Sequence, residues 1–230
     1  MTVKAVIFDL DGTIVAFNLD YKEMRAEVRG YLIKMGVPAS VLSTNENIFE
    51  MLKKTKLFLT NTGRTAESAE KIRVEALSIA EKYELEAATK TSLLPGAVET
   101  LKALKKMGLK MALCTINSQK STEQILTRFK IAEYFDATIP REKVNQVKPN
   151  SEHCNFALKI LGVAAVETVV VGDSVNDVLV AREVKAVAVG LTTGVSTQEQ
   201  LKRQGANFII TSITDLPLLV EQLNKPPQRP

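Results

Sequence analysis

The sequence predicts an α/β protein built on an open parallel sheet, with a helical segment inserted near its start. Two observations predict the sheet. Five short runs are almost wholly apolar, and helical patterns separate them along the chain; the runs are residues 3–8, 110–114, 168–172, 186–190 and 207–210. Runs without alternation of apolar and polar residues are typical of strands that are buried on both faces of a parallel sheet. Alternation of strands and helices implies right-handed crossover connections.

Three helices are predicted between these strands from their end signals. Residues 95–108 open with Pro-Gly and end in a basic turn followed by Gly. Residues 118–129 and 151–162 each begin with a Ser that is expected to cap the helix, and the second ends at Gly162. The sequence therefore predicts a helix in each of these connections.

The third observation is that strand patterns are absent from residue 19 to about 90. The segment instead carries Glu, Lys and apolar residues at spacings of three and four, which is typical of helices. We therefore predict two domains and a tail. They are a core domain of residues 1–18 and 92–224, a helical cap domain of residues 19–91, and a disordered tail of residues 225–230.

Composition argues against several classes of function. The 230 residues include 30 basic and 26 acidic side chains, no Trp and no basic run, so nucleic acid is not an expected partner. Apolar stretches stay shorter than the roughly 18 residues that a membrane span requires. The N-terminus enters a strand directly without the layout of a signal peptide, which predicts a cytoplasmic protein.

The few Cys and His residues narrow the chemistry further. Two Cys argue against a disulfide framework, and a single His argues against a Ser-His-Asp triad or a His-rich and Cys-rich zinc site. Cys114 and Cys154 are expected to be small apolar side chains of the core. His153, close to a predicted helix start, is expected to be exposed and inert.

Polar side chains follow three of the predicted strands at the point where each strand ends. These side chains are Asp9, Asp11, Thr115, Asn117, Asp173 and Asp177, and Lys148 precedes the helix that leads into the third of these strands. Parallel strands bring their carboxyl ends to one edge of the sheet, where ligands bind. The clustered carboxylates would repel each other unless a cation binds, and their hard oxygen atoms suit Mg²⁺. The sequence thus predicts a site for Mg²⁺ and a phosphate at this edge.

Four short motifs occur in order and carry a family resemblance. They are DLDGT at 9–13, Thr115 at a strand end, Lys148 in VKP, and GDSVND at 172–177. Together they resemble the haloacid dehalogenase (HAD) superfamily, and residues 169–194 resemble its phosphoglycolate phosphatase branch. The resemblance implies a HAD-like Rossmannoid three-layer core with an inserted α-helical cap. It also implies a HAD-type phosphoric monoester hydrolase.

The resemblance assigns a role in catalysis to each of five residues. Asp9 attacks phosphorus and forms an aspartyl-phosphate. Asp11 protonates the leaving alcohol and then activates the water that hydrolyses the intermediate. Thr115 and Lys148 bind phosphoryl oxygens, and Asn117 assists in binding the substrate.

The same resemblance implies a set of Mg²⁺ ligands. The metal ion is held by the carboxylates of Asp9 and Asp173 and by the backbone carbonyl of Asp11. Asp177 holds Lys148 or a metal-bound water. The expected partner is a small phosphorylated metabolite, with phosphoglycolate as the first candidate and sugar phosphates and nucleotides as others. The protein is expected to be a monomer or a homodimer.

Other functions of the same superfamily stay open at this point. A dehalogenase lacks the second Asp of the first motif, so Asp11 argues against that activity. A phosphonatase needs a Schiff-base Lys in its cap, and none of the cap lysines stands out. A phosphomutase would use the same core residues. A phospho-acceptor signalling module has a similar strand-end Asp, Thr and Lys, but its chain is about half as long and it needs no inserted segment.

One polar loop of the cap is the candidate for recognising the rest of the substrate. Residues 60–65 read TNTGRT and separate two helical patterns. Arg64 could bind a second anionic group of the substrate, such as a carboxylate, through two parallel hydrogen bonds.

Overall fold

The computed structural model describes residues 2–225, so all but the first residue of the predicted tail lies outside the described residues. The chain divides into two compact units. One comprises residues up to Asn18 together with those from Lys90 onward, and the other comprises Leu19–Thr89.

The first unit is built on a parallel sheet that has six strands within residues 2–225. They are β1 (Ala5–Phe8), β2 (Lys110–Cys114), β3 (Ala137–Ile139), β4 (Thr168–Gly172), β5 (Val187–Leu191) and β6 (Phe208–Ile210). Their order in the sheet is β3-β2-β1-β4-β5-β6. In the central register, Phe8 is level with Leu113 and Val171. The residues that follow β1, β2 and β4 therefore leave the sheet at one edge.

Each of the five predicted apolar runs overlaps one of these strands, but the sequence missed β3. This strand has three residues, Ala-Thr-Ile, and is paired with β2. Such a short run with a polar residue in the middle does not stand out from a loop, and its pairing with β2 gives it extended geometry. The predicted α/β fold with a parallel sheet is confirmed.

The second unit is helical. It contains α1 (Tyr21–Lys34), α2 (Ile48–Asn61) and α3 (Ala66–Lys90), whose last residue belongs to the first unit. Asp20 and Asn47 cap the first two helices, because each side chain accepts a hydrogen bond from the backbone three residues later. The apolar side chains at helical spacing form the core of this unit, in which Val28, Leu32 and Met51 have no exposed surface.

Six further helices lie in the first unit within residues 2–225. They are α4 (Ala97–Lys106), α5 (Gln119–Phe129), α6 (Ser151–Leu161), α7 (Val175–Glu183), α8 (Gln198–Arg203) and α9 (Leu216–Asn224). Ser118 caps α5 as predicted. The predicted cap of α6 was wrong by one residue: the Asn150 side chain accepts from the backbone of Glu152, and Ser151 is the first helical residue.

The sheet is buried on both faces, which explains why its strands show no alternation. Ile7 and Val170 belong to an apolar cluster that includes side chains of α6, α7 and α8. Val6 and Phe8, which point to the other face, have no exposed surface. Helix α3 is the longest, at 25 residues, but it carries many charges, and no helix within residues 2–225 is long and apolar enough to cross a membrane.

Candidate active site

Asp9 is held rigidly because it continues the ladder of β1. Its backbone N–H donates to the carbonyl of Val171 at 3.0 Å, one step beyond the last residue of the strand. On the other side, the backbone of Thr115 follows β2 and donates to Ile139 at 3.1 Å. The two side chains therefore emerge at neighbouring positions on the same edge, with their backbones fixed by the sheet.

Lys148 joins two of the predicted carboxylates. Its Nζ lies 2.7 Å from Asp9 Oδ1 and 2.6 Å from Asp177 Oδ1, and the side chain is almost completely buried. Burial alone would lower the pKa of Lys148, but Asp177 and Asp9 outweigh it and raise that pKa above its ordinary value. The ammonium group stays charged, and it is aimed at the carboxylate that is the predicted nucleophile.

Asp177 is fixed by the start of its own helix. It forms a capping box with Ser174: its Oδ2 accepts from the backbone N–H of Ser174 at 3.1 Å and from the hydroxyl at 2.5 Å, while its own N–H donates to that hydroxyl. Its Oδ1 receives Lys148. Both oxygens of Asp177 thus have protein partners, one of which is the Lys148 ammonium group.

Asp11 contacts a residue that was predicted to bind substrate. The side-chain amide of Asn117 donates to Asp11 Oδ2 at 2.6 Å, and the backbone N–H of Asn117 donates to the hydroxyl of Thr115 at 3.2 Å. Asn117 is buried and Asp11 is partly exposed. The structure therefore brings Asn117 to the predicted acid–base group, where a charge-assisted hydrogen bond orients its carboxylate.

Asp173 lies against the backbone of two other loops. Its Oδ2 accepts from the N–H of Val195 at 2.7 Å. A Cβ at Gly12, which has φ +74°, would come within 2.7 Å of the Asp173 carboxylate, and one at Gly194 would overlap the same group. The chain needs Gly at these two positions, since only a residue without Cβ lets backbone approach this closely. Asp173 is consequently held in one orientation.

Three carboxylates form the group that could hold a cation. Oxygen atoms of Asp9, Asp173 and Asp177 all lie within 4.8 Å of one another. Burial, together with repulsion from Asp9 and Asp177, raises the pKa of Asp173 to about 8. Burial likewise raises the pKa of Asp9 to about 6, even though Lys148 opposes this rise. One ammonium group does not balance three carboxylates, of which Asp173 and Asp177 are buried, and this favours a further positive charge at this point.

Comparison with known proteins decides the family. The model of the haloacid dehalogenase-like hydrolases matches residues 3–185. The chain belongs to this family of hydrolases. A phosphoglycolate phosphatase of Pseudomonas fluorescens is 30% identical over 93% of this chain and 78% of its own, and one of Vibrio parahaemolyticus is 27% identical over 93% and 94%. The crystal structure of a hydrolase from Pseudomonas syringae superposes with a TM-score of 0.67, at 26% identity over 96% of this chain and all of the other.

Membership in the HAD family confirms the enzyme class and fold predicted from the four motifs, whereas the roles of individual residues stay predictions. The motif residues that the geometry brings into direct contact are Asp9 with Lys148, Lys148 with Asp177, and Asp11 with Asn117. Arg64 lies in the helical unit, on the connection between α2 and α3, and is exposed. Its predicted contact with substrate stays a prediction.

One residue at the HAD site was missed by sequence reasoning. His153, expected to be exposed and inert, has no exposed surface. Its ring contacts the backbone of Lys148 and of Ile139. The sequence offered one signal of this proximity to the site. His153 lies five residues after Lys148, the Lys of the third motif, in the first turn of α6. A polar residue at a helix start is usually solvated, and the fold buries this one.

Proposed function

We propose that the chain is a Mg²⁺-dependent phosphatase that hydrolyses small phosphate monoesters through an aspartyl-phosphate on Asp9. The observation that carries the proposal is the pairing of Asp9 with Lys148, at 2.7 Å, beside the carboxylates of Asp173 and Asp177. This chemistry needs a nucleophile, an acid–base group and a fixed cation. We assign these roles to Asp9, Asp11 and Lys148, in that order.

In the first half of the reaction, an oxygen of Asp9 attacks phosphorus and the bond from phosphorus to the ester oxygen breaks. Asp11 gives its proton to the departing alkoxide, so the product leaves as a neutral alcohol. The Asn117 amide donates to one oxygen of Asp11, at 2.6 Å, and so orients the carboxyl group for this transfer. Lys148 and the Thr115 hydroxyl stabilise the charge on the phosphoryl oxygens.

In the second half, Asp11 takes a proton from a water molecule, and this water attacks the phosphorus of the aspartyl-phosphate. The bond from phosphorus to the Asp9 oxygen breaks, which releases phosphate and restores the carboxylate. The ion pair with Lys148 stabilises that carboxylate as a leaving group, because its negative charge returns next to a fixed ammonium.

The donor set fits Mg²⁺. It offers hard carboxylate oxygens and no Cys or His ligand, and Asp9 and Asp173 are the carboxylates proposed to hold the ion together with the Asp11 carbonyl. Asp177 is bound on both oxygens by Lys148 and Ser174, which supports a role in positioning Lys148. When bound, Mg²⁺ supplies positive charge that neutralises the phosphoryl group.

Phosphoglycolate is the first proposed substrate, because relatives from Pseudomonas and Vibrio that align with most of this chain are named phosphoglycolate phosphatase. The residues of the edge contact only a phosphoryl group in this mechanism, so they do not choose among esters. We propose that the helical insertion, predicted as the cap, determines which phosphate ester is hydrolysed. Arg64 is the candidate residue for binding a second anionic group of the substrate.

The test is a steady-state assay of the purified full-length chain on p-nitrophenyl phosphate and phosphoglycolate with Mg²⁺. Asp9→Asn is expected to fold and to lose turnover, because an amide does not form the acyl phosphate. The matched control is Asp215→Asn, an exposed Asp of the same unit, which should keep wild-type rates. EDTA should abolish activity, Mg²⁺ should restore it, and excess Ca²⁺ should inhibit through its larger, looser coordination shell.

Two results would reject the proposed function. Substantial turnover by Asp9→Asn would remove Asp9 as nucleophile, and full activity in metal-free buffer would remove the metal site. Acid quenching during turnover should also trap a phosphoryl group on the protein that hydroxylamine releases, as expected of an acyl phosphate. A signalling module would instead keep its phosphoryl group and release little free phosphate.

A further inference from the structure

We propose that His153 is a positioning residue that sets the place of Lys148 at the phosphoryl site through a hydrogen bond to its backbone, while a second hydrogen bond to the Ile139 carbonyl anchors the ring. The inference rests on the proposed phosphatase function and adds a residue outside the four motifs. His153 is the single histidine of the chain, and it is fully buried in the first turn of α6.

The hydrogen bonds of the ring fix its tautomer. Nε2 lies 2.9 Å from the carbonyl oxygen of Ile139, and a carbonyl only accepts, so Nε2 carries the proton. The other nitrogen, Nδ1, then has a lone pair and accepts from the backbone N–H of Lys148 at 3.3 Å. A neutral ring with one proton satisfies both contacts, and no other protonation state does.

The contacts of His153 reach both predicted phosphoryl-binding residues. The Ile139 carbonyl that accepts from His153 also accepts from the backbone N–H of Thr115 at 3.1 Å. One oxygen at the end of β3 therefore ties Thr115 to the imidazole, and the imidazole ties the backbone of Lys148 to the same point. Thr115 and Ile139 follow or end different strands, whereas Lys148 and His153 lie five residues apart at the start of α6.

Lys148 is thus held at both ends. Asp9 and Asp177 hold its ammonium group at 2.7 and 2.6 Å, and His153 holds its backbone. The backbone hold matters when the phosphoryl group arrives, because the ammonium must then share its hydrogen bonds with phosphoryl oxygens. A displacement of about 1 Å at such a point can cost about 10²-fold in rate.

A plain core role for His153 makes a different prediction, so paired variants separate the two. His153→Asn keeps an acceptor near the position of Nδ1 and loses the Nε2 donor. His153→Gln keeps a donor near Nε2 and loses the Nδ1 acceptor. His153→Leu fills the space and loses both. All three remove buried hydrogen bonds and are expected to lower the free energy of unfolding.

The kinetic readout is kcat and KM for p-nitrophenyl phosphate on each folded variant, with urea unfolding measured in parallel. We expect His153→Gln and His153→Leu to lose about 10-fold to 100-fold in kcat and His153→Asn to stay within about threefold of wild type. A kcat that follows the free energy of unfolding across the three variants, or that stays at the wild-type value in all, would overturn the proposal.

A second readout does not depend on activity. Because the chain has one histidine, protein labelled with ¹⁵N-histidine gives one pair of imidazole nitrogens. Near neutral pH we expect a protonated Nε2 and a bare Nδ1, and a proton on Nδ1 would overturn the proposal. If the wild type hydrolyses no phosphate ester, the proposed function has failed, and this spectrum still decides whether His153 holds Lys148.

Discussion

Acidification is expected to destabilise the protein through His153, in the opposite sense to a salt-bridged histidine. Burial is the largest cause of a lowered pKa at this residue, and the nearby charge of Lys148 lowers it further, to about 4 from the ordinary 6.5. The Ile139 carbonyl, Asp177 and Glu152 act in the other direction and do not compensate. The folded state therefore prefers the neutral ring.

The sign and size follow from proton linkage. Above the unfolded pKa of 6.5 both states hold a neutral ring, and the contribution to stability is fully present. As the pH falls below 6.5, His153 takes up a proton in the unfolded chain, whereas in the folded chain it stays neutral until about pH 4. Each pH unit in this window costs about 1.4 kcal/mol at most, so the loss is about 2 kcal/mol between about pH 7.5 and about pH 5.

The assay is urea unfolding of the wild type and of His153→Asn across this pH range in metal-free buffer. Other groups also titrate here, and those that lie away from the contacts of His153 and Lys148 are present in both proteins and cancel in the difference. The stability advantage of the wild type over the variant should shrink by about 2 kcal/mol on acidification. A difference that stays constant with pH would show that His153 titrates alike in both states, and the account of its burial and contacts would be wrong.

Three further variants test the site. Asp11→Asn should lose about 10²–10⁴ in rate, less for p-nitrophenyl phosphate than for an alkyl phosphate, and equal losses would contradict an acid role. Gly194→Ala places a Cβ on the Asp173 carboxylate and should weaken Mg²⁺ binding about tenfold by calorimetry, whereas Gly30→Ala, with open space around it, should not. Arg64→Ala should raise KM for phosphoglycolate and leave p-nitrophenyl phosphate unchanged, and parallel changes for both would place specificity elsewhere.

The edge of the sheet could be predicted from the sequence because parallel strands leave little freedom. Apolar runs such as 168–172 fix where a strand ends, and the next residue must then emerge at the carboxyl edge. The positions of Asp9 and Thr115 at this edge follow from this rule alone, because β1 and β2, the strands that they follow, are paired in parallel. Lys148 does not follow a strand, and the sequence placed it near this edge only because it precedes the helix that leads into residues 168–172; its role came from the family resemblance.

The contacts that sequence reasoning missed are made between distant segments of the chain. His153 reads as a solvated helix start, because nothing local shows that β3 will present a carbonyl to its ring. Asn117 was predicted to bind substrate, and only the loop after β1 brings Asp11 to its amide. Local patterns report burial and backbone geometry, whereas the partner of a buried polar group is set by the assembled fold.

The charge arrangement at this edge is better explained by chemistry than by stability. A buried ammonium with two carboxylates gains little over well-packed apolar side chains, because desolvating the charges offsets their attraction. Here the balance is less favourable still, since the buried Asp173 adds a third carboxylate within 4.8 Å of those of Asp9 and Asp177. These charged side chains repel each other while their backbones are held by the strand ladders, by the capping box of α7 and by the hydrogen bond of His153. In the proposed mechanism, Mg²⁺ offsets this rigid surplus of negative charge, and the carboxylates and Lys148 are already in place when the phosphoryl group binds, which is electrostatic preorganisation.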